Sequence, residues 1–143
     1  MATTTTYAIS IVTTTTTYTA NDVVGSLTAI ADITPSNSGF TIDTAMVIDP
    51  NARSDSLELW IFTSAITAAA DNAAHSISDG DAAKCVGVIP ITTYYASALN
   101  TTGILRAVNL SVGAGNDIWV LAVTRAASIY TASLTVLLSI TSG

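Results

Sequence analysis

Along the chain, short stretches rich in Val, Ile and Thr alternate apolar with polar side chains and are separated by Gly, Asn, Asp and Pro. Alternation puts successive side chains on opposite faces of a strand, so the pattern predicts an all-β sandwich or barrel. Eight stretches stand out, at 7–12, 22–31, 40–48, 57–63, 86–95, 104–112, 117–124 and 133–140. In the first, Tyr7, Ile9 and Ile11 share a face. In the third, Phe40, Ile42, Met46 and Ile48 fall on one face, while Thr41 and Asp43 take the other. In the last, Leu134, Val136, Leu138 and Ile140 align. Eight strands of this kind predict a two-sheet antiparallel sandwich, jelly-roll-like in type.

Two regions depart from the rhythm. Residues 67–84 mix Ala with Asp71, Asn72, Asp79, Gly80 and Asp81, which reads as a loop with one helical turn. As the long connection between the fourth and fifth strands, it is expected to be a crossover joining the two sheets. The run from Thr13 to Thr17 suits either a prolonged first strand or a polar loop, because Thr favours extended structure. There is no fixed-period repeat and no linker, so residues 1–143 are expected to form a single domain with an extended N-terminal arm.

Composition narrows the function classes. A chain of this length can bury about 70% of the surface it exposes when unfolded, enough to fold without staples. Half of the residues are hydrophobic and 10% are charged, against about 25% charged in an ordinary domain. The exterior must therefore rely on Thr, Ser and Asn. Arg53, Lys84, Arg106 and Arg125 oppose ten carboxylates for a net charge of −6. Four scattered cations cannot form a counterion-displacing groove, which argues against nucleic acid as a partner. The longest apolar run, 118–123, is far shorter than the ~20 residues of a membrane-spanning helix. Residues 1–6 lack the basic region and apolar stretch of a secretory signal, so synthesis in a cytoplasm is expected. Cys85 is alone and can form no disulfide within the chain and no cysteine-based zinc site; a buried, inert thiol is expected.

Candidate chemistry is sparse. Asp71, Asp79 and Asp81 could suggest calcium, but an EF-hand loop needs acids at alternating positions and a closing Glu, whereas Asp79-Gly80-Asp81 runs into Ala82-Ala83-Lys84. His75 is the only histidine, with Ser76, Ser78, Asp71 and Asp79 nearby, yet no nucleophile elbow accompanies it. The glycines around 112–117 precede a strand, where a phosphate-binding loop would open a helix, and they read as a hairpin link. Asn100 and Asn109 match the glycosylation acceptor pattern, which matters only in a secretory pathway. Trp60 and Trp119 are expected as core or interface anchors. No catalytic, metal-binding or cofactor-binding residue is assigned, and the chain reads as a non-enzyme.

Assembly is the stronger expectation. Proteins commonly blunt exposed sheet edges with Lys, Pro or inward charges, and this chain has one Lys and three Pro, of which Pro90 alone falls in a predicted strand. The seventh strand is also apolar on both faces, with Trp119, Leu121 and Val123 on one and Ile118, Val120 and Ala122 on the other. A lone sandwich usually leaves one face polar. A homo-oligomeric interface at Trp119, Val120, Leu121 and Val123 would account for both features.

Three passages carry a resemblance: 18–25 (Tyr-Thr-Ala-Asn-Asp-Val-Val-Gly), 57–62 (Leu-Glu-Leu-Trp-Ile-Phe) leading to 71–75, and the acidic stretch 78–89 running into a Val-Gly strand. Together they resemble a group of small tailed-bacteriophage virion proteins that decorate the capsid. The resemblance covers residues 18–95 and continues beyond them only in strand rhythm. It implies a jelly-roll-like cement protein, typically a trimer, bound to the major capsid protein on the outer surface of the virion. His75 departs from it, standing where an aromatic is expected. The alternative reading is a host-binding or tail-tip adhesin on the same sandwich, recognising a receptor through its loops. A small esterase or glycosidase ranks third.

Overall fold

The computed structural model describes residues 2–34, 39–113 and 115–142. Within these, ten strands and one helical turn follow in the order β1 Thr3–Ile11, β2 Val23–Ile30, β3 Phe40–Asp49, β4 Leu57–Phe62, α1 Asp79–Ala82, β5 Cys85–Ile91, β6 Tyr94–Ala96, β7 Thr101–Leu105, β8 Leu110–Val112, β9 Ile118–Thr124 and β10 Leu134–Ser142. They build two antiparallel sheets. The larger has the order β1-β10-β3-β7-β6, with β8 also paired to β3, and the smaller has β2-β9-β4-β5.

Eight predicted stretches become ten strands because two of them break. The fifth divides at Thr92 and Thr93, where the chain leaves the small sheet for the large one. The sixth divides at Ala107 and Asn109, which adopt left-handed φ values of 54° and 51°, a conformation that costs an L-residue roughly 1–2 kcal/mol and ends the ladder. With each broken stretch counted as one segment, the sheet orders read 1-8-3-6 and 2-7-4-5. Links 1–2, 2–3, 3–4, 6–7 and 7–8 cross from sheet to sheet, and the crossing that leads to segment six is made inside segment five at Thr92 and Thr93, which is the connectivity of a jelly roll.

The structure corrects two expectations. Residues 63–84 do not cross between sheets; they join β4 and β5, which pair directly with each other. The link after β8 is not a hairpin, because β8 lies in the large sheet and β9 in the small one. Ala114 within that link lies outside the described residues. The Thr13–Thr17 run is a polar loop, tied down where Thr13 Oγ1 donates to the Tyr130 carbonyl at 2.9 Å and the Thr14 amide donates to the Tyr18 hydroxyl at 3.0 Å. It is the other Thr run, Thr3 to Thr6, that extends the first strand.

Alternation holds along β10, whose Leu134, Val136, Leu138 and Ile140 all enter the core. In β3 it fails halfway. Phe40 and Ile42 are buried, but beyond them the buried residues are Ala45, Val47 and Asp49, leaving Met46 and Ile48 on the opposite face. The register explains the switch: Ile42 pairs with Ile140 and Thr44 with Ser139, so Asp43 is an extra residue bulged out of the β10 ladder. A bulge of one residue exchanges the two faces for the rest of the strand. The Asp43 carbonyl accepts the Val108 amide at 2.9 Å, at the point where β7 gives way to β8. The kink in β3 and the break between β7 and β8 are thus one feature. In β2, Gly25 sits at φ 76°, and a Cβ there would stand 2.6 Å from Ile11 Cγ2, so the crossing of β1 and β2 requires glycine.

The bulge makes a direct prediction. Ile42→Ala, inside the core, should lower unfolding free energy by about 2–5 kcal/mol, while the same change at Ile48 should cost clearly less, although sequence parity puts both on one face. Chemical denaturation checks this; equal costs would contradict the face switch.

Candidate interaction surfaces

Strand β9 runs through the small sheet between β2 and β4. Its Ile118, Val120 and Ala122 point into the core between the sheets. Leu121 and Val123, on the outer side, are also fully buried. The cover over Leu121 is the chain's own 63–84 segment: Ile66, Ala68, Ala69 and Ile77 pack with Leu27, Trp60, Cys85 and Trp119 around Val23, Phe62 and Leu121. The expected interface at Trp119, Val120, Leu121 and Val123 is therefore corrected. Val120 belongs to the main core, Leu121 lies beneath the chain's own loop, Val123 is fully buried, and Trp119 alone keeps partial exposure. A doubly apolar strand signalled a second covering layer, and that layer lies in the same chain.

Local polar bonds hold the segment in place. Asp71 Oδ1 accepts the Tyr18 hydroxyl at 2.8 Å and the Gly25 amide at 2.6 Å. The Asn72 amide donates to the Val23 carbonyl, the Val23 amide to Ala73 and the His75 amide to Asn21, all within 2.7–2.8 Å. At the far end Ser78 caps α1 by accepting the Asp81 amide at 3.1 Å, the Asp81 carboxylate accepts the Thr67 amide at 3.0 Å, and Lys84 Nζ bonds both Asp81 and the Ala65 carbonyl. Of the three acids singled out as a calcium alternative, Asp71 and Asp81 are thus engaged in folding the loop. Among the described residues, no group of three or more His, Cys, Asp and Glu comes together to hold a metal ion.

His75 lies at the middle of this cover. Its ring stands 4.5 Å from the Trp60 ring, tilted by 59°, so the imidazole occupies the place of an aromatic plate. Both ring nitrogens are buried without a hydrogen-bond partner. Burial pushes the imidazole pKa down, and the nearby Arg125 pushes it further, against an opposing pull from Glu58. Glu58 itself is held below the usual carboxylate range by Arg125, 2.6 Å away, with help from the Trp60 indole N–H at 3.1 Å. An unpartnered buried polar group costs about 1–3 kcal/mol, more than the ~0.5–1.5 kcal/mol an aromatic pair returns. The imidazole is the weak point of the cover.

In the large sheet, β6 is three residues long, as is β8. In the small sheet, β5 carries Pro90 and a register shift opposite Ile61/Phe62. The start of β2 is paired by the 72–75 backbone, and its ladder is interrupted between Val24 and Thr28. Edge β1 has none of these features: Thr3 to Ile11 pairs with Ser142 to Leu134 without interruption and bears no charge and no Pro. Proline protection at Pro90 was legible in the sequence; the loop that covers β2 was not. Among the described residues, no helix is long and apolar enough to cross a membrane.

Compared with protein families and with curated proteins, the chain matches none.

Two outcomes follow from this geometry. Leu121→Ala should lower folding stability by about 2–5 kcal/mol, by the same amount at every protein concentration, in equilibrium denaturation. A loss of mass in solution without loss of stability would restore the interface reading. For His75, the folded pKa lies below the unfolded value of about 6.5, so the unfolded chain binds the proton more readily. Its contribution to stability is complete above that value and is lost as pH falls from it toward the folded pKa. His75→Phe should keep the contact with Trp60, raise stability and flatten that part of the pH profile. An unchanged profile between pH about 7 and 5 would contradict the assignment.

Proposed function

We propose that this chain is a structural virion protein that decorates and stabilises the outer surface of a bacteriophage capsid, bound as a homo-oligomer, trimeric by resemblance, to the major capsid protein. One observation carries the reading. The passages that resemble phage decoration proteins, far apart in sequence, meet in a single knot: Tyr18 and Gly25 bond Asp71, Val23 pairs with Asn72 and Ala73, the Trp60 ring packs tilted against His75, and Cys85 pairs with Phe62. Residues that support one another in this way form a structural signature.

The physical demands of the role agree with the fold. A cement protein adds contact energy across junctions of a shell that carries outward pressure from its contents, so it must resist deformation. Two sheets closed over a continuous apolar core, with the outer side of the small sheet sealed by a pinned loop, make such a module. An acidic exterior with a net charge of −6 disfavours packaged DNA and suits a solvent-facing location.

Immunogold labelling of intact virions tests the proposal. Label distributed over the head is expected. Label confined to the tail would replace it with the adhesin reading, and absence from the particle would dismiss both.

A further inference from the structure

We propose that β1 is an association edge, and that its backbone side, unpaired among the described residues, takes β1 of a second copy, antiparallel across a two-fold axis, joining two large sheets into one. The inference rests on the self-assembly part of the reading above and is independent of the capsid. Its first support is the contrast among the edges. β6 and β8 are short, β5 has a proline and a bulge, and β2 is bulged and partly covered. These are the means by which proteins keep strands from pairing with other chains. The nine-residue β1, in continuous register, has none.

Charge selects the occupant. Two copies with a net charge of −6 each repel at most approaches, but no Asp, Glu, Lys or Arg occurs from Ala2 to Asn21. β1 is thus an edge along which like copies meet without opposing charges, and one that offers a charged partner nothing to pair with. Side-chain pattern agrees. Thr4, Thr6, Ala8 and Ser10 face outward, and where β1 meets β10 the hydroxyls already pair across strands, Thr4 with Thr141 at 2.8 Å and Thr6 with Ser139 at 3.2 Å. A two-fold centred on Tyr7 sets Thr4 opposite Ser10 and Thr6 opposite Ala8. It extends the hydroxyl-rich face and keeps Tyr7, Ile9 and Ile11 on the core side in both copies. A two-fold contact is self-complementary and closes after two chains.

Sedimentation velocity from micromolar to millimolar concentration tests it, on wild type and on Thr6→Lys, Thr4→Lys and Ser26→Lys. The first two place a charge on the exposed side of β1, and the third places one on exposed β2. The wild type is expected at twice the 14.6 kDa chain mass, or six times where a three-fold contact also forms. Thr6→Lys and Thr4→Lys should each halve that mass with an unchanged circular dichroism spectrum, while Ser26→Lys should not alter it. A wild type that stays monomeric or trimeric throughout overturns the inference, as does either β1 variant that folds and retains the wild-type mass. Head labelling of virions is read separately, so decoration survives a failure of β1 pairing, and β1 pairing survives an absence of label.

Discussion

The organising constraint of this molecule is that β9 is apolar on both sides and must be covered twice. The large sheet covers Ile118, Val120 and Ala122, as in any sandwich. Leu121, on the other side, needs a second layer, and residues 63–84 provide it. Much else follows from that requirement. The loop is long because it spans the outer side of a sheet instead of turning tightly between neighbours β4 and β5. It is rich in Ala because small side chains lie close over a flat apolar surface. Asp71 and Asp81 are placed where they satisfy backbone amides and Tyr18, since a segment with so little regular structure must find partners for its polar backbone elsewhere.

Sequence pattern and structure agree where local rules decide the outcome. The even positions of β10, the face shared by Tyr7, Ile9 and Ile11, the single helical turn before Cys85 and the two-sheet class were all legible. Disagreement begins where one residue changes the phase. Asp43 bulges from β3, and nothing in Thr41-Ile42-Asp43-Thr44 distinguishes it from an ordinary polar strand position. Met46 and Ile48 consequently exchange sides with Ala45 and Val47. The candidate interface failed for a different reason. Trp119, Leu121 and Val123 were correctly recognised as needing a cover, but alternation along a strand does not say whether the cover comes from another copy or from a loop some fifty residues earlier. Only Ile66, Ala68, Ala69 and Ile77, read as a second apolar set within an otherwise polar loop, hinted at the answer.

Moving that face into the fold changes how copies can meet. With the outer side of the small sheet closed, apolar area no longer singles out an interface, and the unpaired backbone of β1 becomes the most prominent unmet demand. An exterior of Thr and Ser suits contact through backbone ladders and hydroxyl pairs, which are directional and tolerate water, better than through broad apolar burial. His75 adds a titratable group to the cover: burial and the nearby Arg125 both push the pKa of its imidazole down, so protonation works against the packed position beside Trp60. The sealed face and the open edge are thus complementary: the apolar surface is used for rigidity within a copy, and the polar edge of β1 is where we propose that copies meet.

Residue-resolved amide hydrogen exchange, compared between dilute and concentrated protein, tests this division most directly. The account predicts that amides of Ile118 to Thr124 are strongly protected and equally so at both concentrations, while amides between Thr3 and Ile11 gain protection as concentration rises. Protection of β9 that depends on concentration, with β1 unchanged, would contradict it and return the interface to the outer face of the small sheet.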